Sequence, residues 1–273
     1  MAARARLDAE LVRRGLARSR EQARALIESG VVKVNGVVAA KPATNVAKDT
    51  PVVVTEGPDD DWASRGSHKL LGALEAFESL GLTVAQRRCL DAGASTGGFT
   101  DVLLRRGAAQ VVAVDVGYGQ LIWRLQNDPR VDVHDRTNVR HLTPDTIGGQ
   151  VDVVVGDLSF ISLALVLPAL AACTRSGGDL LPMVKPQFEV GKDRVGSGGV
   201  VRDPQQRADA VRDVARAASG LGLDTLGVVA SPLPGPSGNV EYFLWLRKTR
   251  VEDRTDMGDL SAMIARAVEE GPR

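Results

Sequence analysis

A chain of 273 residues with 44% hydrophobic and 25% charged residues is long enough to bury a core of its own and needs no covalent staple. Its formal net charge is zero, so bulk charge selects neither a nucleic acid nor a membrane. Two cysteines in apolar runs and three histidines without metal spacing exclude a disulfide scaffold and a His/Cys metal centre.

No apolar segment follows the N-terminal arginines and no apolar run reaches membrane length, so a cytoplasmic protein is expected. Charge is unevenly distributed. Residues 1–25 carry seven arginines against Asp8, Glu10 and Glu21. That points to a local anionic partner; the alternative is a solvated face on which the arginines pair with those acids. Leu7, Leu11 and Leu16 recur at near-helical spacing over 6–17. A second helix is predicted from Ser19, where Ser19-Arg20-Glu21-Gln22 fits a capping box, through the apolar face of Ala23, Leu26 and Ile27 to Gly30. Val31–Val34 reads as a strand, Asn35-Gly36 as a tight turn and Val52–Val54 as a closing strand. Residues 1–59 are thus predicted as a small α+β domain. Gly57–Asp61 is a polar break, and 60–64 reads as the linker to a second domain over 65–249, followed by a tail over 250–273 with a short helix.

The second domain opens with Ser64-Arg65-Gly66-Ser67-His68-Lys69 and a helix whose buried side is Leu70, Leu71, Leu74, Phe77 and Leu80. Lys69 falls in the first turn, where the helix dipole disfavours a cation, which marks it for a function; His68 reads as a structural or capping neighbour. Leu90–Leu104 reads as a buried strand, a glycine-rich turn and a helix start, and Val111–Asp115 as a second strand ending in a carboxylate. Further strands at Val131–Val133, Val151–Val155, Asp179–Val184, Leu226–Ala230 and Tyr242–Leu246 alternate with helices. The fold class is α/β, a Rossmann-like domain with a mostly parallel seven-stranded sheet whose final pair suggests an antiparallel edge.

Ligands of such sheets lie beyond the carboxyl ends of the strands. Asp91, Asp115, Asp135, Asp157 and Lys185 fall there, Glu241 just precedes the last strand, and Lys69 reaches the same edge from its helix. The turn Gly93-Ala94-Ser95-Thr96-Gly97-Gly98 lacks the G-x-G of a dinucleotide fingerprint. That disfavours an NAD oxidoreductase and suits a ligand without phosphate, such as S-adenosylmethionine. On this reading Asp91, Gly93, Ala94, Ser95, Thr96, Gly97, Gly98 and Phe99 surround the cofactor and Asp115 holds its ribose. Asp135, Thr137 and Asn138 either contact the adenine or shape a turn. Phe160, Phe188 and Trp245 read as core rather than as base-stacking platforms.

Two resemblances sharpen this. Arg6-Leu7-Asp8, Leu11, Gly15, Ser19-Arg20, Ala23, Ile27, Gly30, Val32, Val34-Asn35-Gly36 and Lys41-Pro42 resemble the S4 RNA-binding fold, which implies RNA phosphate contacts at Arg4, Arg6, Arg18, Arg20 and Lys41. Ser64-Arg65-Gly66 with Lys69-Leu70, the Asp91–Phe99 loop, Asp115-Val116-Gly117, Asp157-Leu158-Ser159-Phe160, Val184–Glu189 and Gly238-Asn239-Val240-Glu241 resemble the FtsJ-like ribose 2′-O-methyltransferases, which have the class I methyltransferase fold. Together the two parts resemble the TlyA family of bacterial rRNA methyltransferases, also labelled haemolysins. The resemblance implies S-adenosylmethionine as cofactor, a Lys-Asp-Lys-Glu tetrad at Lys69, Asp157, Lys185 and Glu241, and an RNA contact at Arg65. It further implies a monomer, without metal or membrane, that methylates cytidines in the 16S and 23S rRNA of ribosomal subunits, and a link to capreomycin and viomycin susceptibility. Lys185 is the expected proton acceptor, helped by burial and a nearby Lys69. A non-catalytic ribosome-assembly factor is opposed by the intact tetrad. A membrane-active haemolysin is opposed by the lack of a signal peptide, a spanning run or an amphipathic basic helix.

Overall fold

The computed structural model describes residues 4–17, 19–28, 30–54, 62–191, 194–235, 237–249 and 259–272. Arg18, linker residues 60 and 61 and the side chain of Arg4 lie outside that description. The chain divides into two compact units, Met1–Asp61 and Trp62–Arg273.

The first unit runs β1 (Arg4–Arg6), α1 (Leu7–Arg13), α2 (Arg20–Glu28), β2 (Val32–Val34), β3 (Val37–Val38), β4 (Asn45–Ala47) and β5 (Val52–Val54). Ser19 Oγ accepts the Gln22 amide at 3.1 Å, so the residue that marked the start of α2 does cap it. Leu7, Leu11, Ala23, Ile27, Val32 and Val46 make the core. β2 lies between β3 and β5, antiparallel to both, and Asn35 and Gly36 turn the chain with φ of 51° and 81°. The antiparallel pair β1–β4 was not foreseen: each strand has three residues, too few to print a period-two pattern.

The second unit runs α3 (Gly66–Glu78), β6 (Arg88–Ala92), α4 (Gly98–Arg105), β7 (Gln110–Val114), α5 (Trp123–Gln126), β8 (Val131–His134), β9 (Val151–Gly156), α6 (Leu167–Cys173), β10 (Thr174–Val184), α7 (Pro186–Glu189), α8 (Pro204–Ser219), β11 (Leu223–Ala230), β12 (Tyr242–Lys248) and α9 (Leu260–Glu270). Its seven strands lie in the order β11-β12-β10-β9-β6-β7-β8. The run from β10 to β8 is parallel, and β12 is antiparallel to both β10 and β11. The expected antiparallel pair therefore forms, but β12 fills a slot inside the sheet and β11 is the edge strand. Alternation along the strands separates two apolar layers. Leu90, Val112, Val154, Leu180, Tyr242 and Leu244 face one layer, which α6, α8 and α9 complete. Cys89, Val111, Val153, Leu181, Phe243 and Trp245 face the other, under α3 and α4. Leu80 corrects the reading of α3: the helix stops at Glu78, and Leu80 is 65% exposed. No helix among the described residues is long and apolar enough to cross a membrane.

In the first unit Asp8 and Glu10 are buried and collect the arginines. Asp8 accepts two bonds from Arg6 (3.1 and 2.9 Å), two from Arg20 (3.3 and 3.1 Å) and one from the Ala9 amide (2.8 Å), and Arg24 stands 3.6 Å away. Glu10 accepts from Arg13 and Arg14, and Arg14 reaches on to the carbonyls of Ala47, Lys48 and Thr50. The Arg6 guanidinium, and with it Arg20, holds the Asp8 carboxyl well below the usual carboxylate range; Arg13 and then Arg14 do the same for Glu10. A depressed folded-state pKa contributes stability above the unfolded value, and that contribution is lost as pH falls through the folded one. Acidification below about pH 4 should therefore open the first unit. Asp8→Asn should lower its melting temperature at pH 7 by several degrees while leaving the second unit in place. Hydrogen exchange resolved over 4–54 and 62–249 checks both.

Candidate active site

The turn after β6 is left-handed three times, with φ of 88° at Gly93, 48° at Ser95 and 99° at Gly97. Gly93 and Gly97 also need the space. A Cβ at Gly93 would stand 2.9 Å from the Asp157 carbonyl oxygen, and one at Gly97 2.3 Å from Leu125 Cδ1. Ser95, which carries a side chain at positive φ, is held there by Asp115, whose Oδ2 accepts the Ser95 amide at 2.8 Å. The turn delivers the chain into α4, whose first amides have no partner within the helix. The first segment of the unit braces this one. Ser67 Oγ donates to the Gly98 carbonyl at 2.9 Å, and Asp101 accepts the Ala63 amide at 2.9 Å together with Arg105 and Arg124. Arg105 in turn lies 4.2 Å above the Trp62 ring.

Asp91, at the end of β6, is wholly buried. Its Oδ2 accepts the Thr100 hydroxyl at 2.7 Å, while Oδ1 has no hydrogen-bond partner among the described residues. Burial pushes this carboxyl up to about 7, against the Thr100 hydrogen bonds and with a further push from the charges of Asp157 and Asp115.

The four tetrad residues fall into two ion pairs. Lys69 Nζ donates to Glu241 Oε2 at 2.6 Å. Lys185 Nζ meets Asp157 Oδ1 at 2.5 Å and donates to Ser159 Oγ at 2.7 Å. Lys69, Lys185 and Glu241 are buried, and Asp157 is half-buried. The sheet sets this arrangement. Val184 pairs with Tyr242 across β10 and β12, so Lys185 and Glu241 follow and precede register partners. Gly156 pairs with Ala92 and Pro182, so Asp157 leaves β9 between the glycine turn and Lys185. α3 brings Lys69 because Gly72 allows it close: a Cβ there would stand 2.7 Å from Pro232 Cγ. Each lysine has its own carboxylate.

The remaining expectations separate. Asp115 turns both oxygens to backbone amides, Ser95 and Gly117 (2.7 Å). Asp135 accepts the Gly119 amide at 2.8 Å, and Asn138 caps a short turn through the Arg140 amide at 3.0 Å. Ala94 and Phe99 are buried, and Phe99 packs 6.0 Å from Phe243; Thr96 accepts the Ile122 amide through its carbonyl. Arg6 and Arg20 are tied to Asp8, while Lys41 and Arg65 are exposed. Trp245 is core as expected, but Phe160 is not. It is 91% exposed at φ 63°, three residues after Asp157, with its ring 5.2 Å from that of Phe188. The Asp-Leu-Ser-Phe loop following a strand was the signal that outranked its apolar side chain.

Comparison with known proteins identifies both parts of the chain. The family model of the FtsJ-like methyltransferases matches residues 62–248 and that of the S4 domain residues 5–52. The chain is 63% identical over 272 residues, covering 100% of both chains, to the 16S/23S rRNA (cytidine-2′-O)-methyltransferase TlyA of Mycobacterium tuberculosis H37Rv. It is 43% identical to YqxC of Bacillus subtilis, a protein named as a candidate rRNA methyltransferase, over 88% of this chain and 85% of that one. Among solved structures, a candidate haemolysin from Streptococcus thermophilus superposes with a TM-score of 0.75 at 36% identity, over 98% of this chain and 96% of the other. The turn, the paired tetrad and the S4 module ahead of them thus sit in one chain for a common reason: it is an enzyme of the FtsJ-like methyltransferase family, in its S4-bearing TlyA branch.

Proposed function

We propose that the protein transfers a methyl group from S-adenosylmethionine to the ribose 2′-hydroxyl of cytidines in 16S and 23S rRNA, acting on ribosomal subunits in the cytoplasm. The observation that carries this reading is the Lys185–Asp157 and Lys69–Glu241 pairing beside the glycine turn, in a chain 63% identical end to end to a protein named for that reaction.

The residues at the turn fit the cofactor. Asp91 Oδ1 is a buried acceptor without a partner among the described residues, matched to an ammonium group. The α4 N-terminus offers amides to a carboxylate. Asp115, Asp135 and Asn138 follow β7 and β8, on the side left for an adenosine. When bound, the cofactor supplies an electrophilic methyl on a positively charged sulfur.

Transfer to a hydroxyl forms an oxygen–carbon bond, breaks the carbon–sulfur bond and releases the hydroxyl proton. Lys185 Nζ is the proton acceptor on this reading, after passing one of its own protons to the half-buried Asp157, which can release it to water; Lys69, anchored by Glu241, orients the ribose for in-line attack. Phe160 offers an exposed face for the target base beside Asp157. Arg6 and Arg20, with Arg4, Arg18, Lys41 and Arg65, supply phosphate contacts.

Lys185→Ala should reduce methyl transfer to rRNA by about 100-fold or more with cofactor affinity unchanged, read by incorporation of labelled methyl and by equilibrium titration. Full activity in that variant would sink the assignment. Asp91 makes a second prediction. A bound cation favours its ionised form, so cofactor affinity should rise as pH increases through about 7, by about tenfold between pH 6 and 8. Asp91→Asn should bind more weakly and lose that pH dependence.

A further inference from the structure

Two neighbouring parallel strands send out two segments that meet at Lys185. Residues 157–163 follow β9, and residues 185–189 follow β10. The first segment is held at three places. At its start the Asp157 carbonyl and the Leu158 side chain press on the glycine turn: a Cβ at Gly93 would stand 2.9 Å from the one and 3.1 Å from the other. At its middle Asp157 and Ser159 meet Lys185 Nζ at 2.5 and 2.7 Å, and the Phe160 ring packs on Phe188. At its far end it is tied by Glu189. Glu189 Oε2 accepts the Ser162 hydroxyl at 2.6 Å, and Oε1 accepts the Leu163 amide at 2.9 Å. Both oxygens of this half-buried carboxylate thus go to the segment, and it makes no ion pair among the described residues. Burial pushes the carboxyl up, against the hydrogen bonds from Leu163 and Ser162. An acid kept there without a cation costs stability, which points to what it holds. What it holds is strained: Phe160 is exposed and sits at φ 63°. Such a residue stays left-handed only where its surroundings impose it. Here the chain is anchored before it at Lys185 and after it at Glu189.

We propose that Glu189 is a positioning residue: it sets the loop bearing Asp157, Ser159 and Phe160 against Lys185, and with it the place of the target nucleotide. The nucleotide part rests on the function proposed above. In the full-length chain, Glu189→Ala loses both bonds. Glu189→Gln keeps both without the charge, because its carbonyl accepts the Leu163 amide and its amide nitrogen donates to Ser162 Oγ. Glu189→Ala should lower kcat on ribosomal subunits about tenfold, raise KM for subunits about threefold and leave cofactor affinity within about twofold. Glu189→Gln should keep kcat within about twofold of the wild type. A second readout needs no RNA. With 4-fluorophenylalanine at the five phenylalanines, the signal assigned to Phe160 through Phe160→Leu should move in Glu189→Ala and hold in Glu189→Gln. The signals of the core rings Phe77, Phe99 and Phe243 should hold in both, which reports an intact fold. Should Glu189→Ala fail to fold, Ser162→Ala removes one of the two bonds and should move the Phe160 signal with about a threefold loss of kcat. An unmoved Phe160 signal in the alanine variants would overturn the proposal. So would Glu189→Gln as impaired as Glu189→Ala, since charge and not placement would then matter. A moved signal with unchanged kcat and KM would overturn the part in the reaction. A wild-type chain that transfers no methyl group would remove the proposed function, while the fluorine signals would still decide whether Glu189 sets the loop.

Discussion

One reversed strand decides where the candidate catalytic residues meet. Six strands of the large sheet run the same way, and they present to their carboxyl edge only residues that follow strands. β12 runs against them, between β10 and β11, so the residue that precedes it arrives at the same edge. Glu241 thereby stands across from Lys185 by register, and Asp157 is placed by the Gly156–Ala92 and Gly156–Pro182 pairings. Backbone ladders, more rigid than loops, thus fix three of the four tetrad positions. The fourth depends on α3 lying close to Pro232, which Gly72 permits. Burial of two lysines at this edge is tolerable because each has a carboxylate within 2.6 Å.

The sequence is informative about the strands and silent about their order. The apolar runs that become β6, β7, β9 and β10 are conspicuous because both faces of those strands are covered. Nothing local says that β12 inserts between β10 and β11, since that slot is created by the α8 crossover and settled only by long-range pairing. The same limit applies within the site. Strand-end position marked Asp157, Lys185 and Glu241 together with other acids, and the FtsJ-like resemblance singled out those three with Lys69, but which lysine meets which acid depends on register and on the angle of α3. Asp115 illustrates a different gap: one of its two backbone partners, Ser95, lies in a turn whose left-handed geometry a sequence does not announce. Phe160 shows where residue type misleads, because a loop after a strand exposes an aromatic as readily as a serine.

The arginines of the first unit were read as either RNA contacts or partners of nearby acids, and the structure shows that the two are compatible. Asp8 is buried, yet Arg6 and Arg20 on it remain roughly half exposed, at 44% and 55%. A guanidinium has five N–H donors, so one edge can be fixed by a carboxylate while the rest faces outward. A buried acid shared by several arginines therefore does more than cancel charge. It gathers them and removes side-chain freedom that phosphate binding would otherwise have to remove.

The paired tetrad also constrains how a ribose hydroxyl reaches Lys185 in the proposed reaction. Displacing Asp157 from Lys185 would leave a buried ammonium without its counter-ion, which is the costly way to open an ion pair. Ser159 is different, because its hydroxyl is neutral and can rotate to another acceptor. An incoming 2′-hydroxyl resembles the serine hydroxyl in size and polarity, and it can take the same position on Nζ while Asp157 stays in place. On that route Asp157 stays against Nζ as the hydroxyl arrives, and one Nζ proton has to pass to Asp157 before Nζ can take the proton of the 2′-hydroxyl. The serine then marks the position on Nζ that the reacting oxygen is to occupy in the proposed reaction.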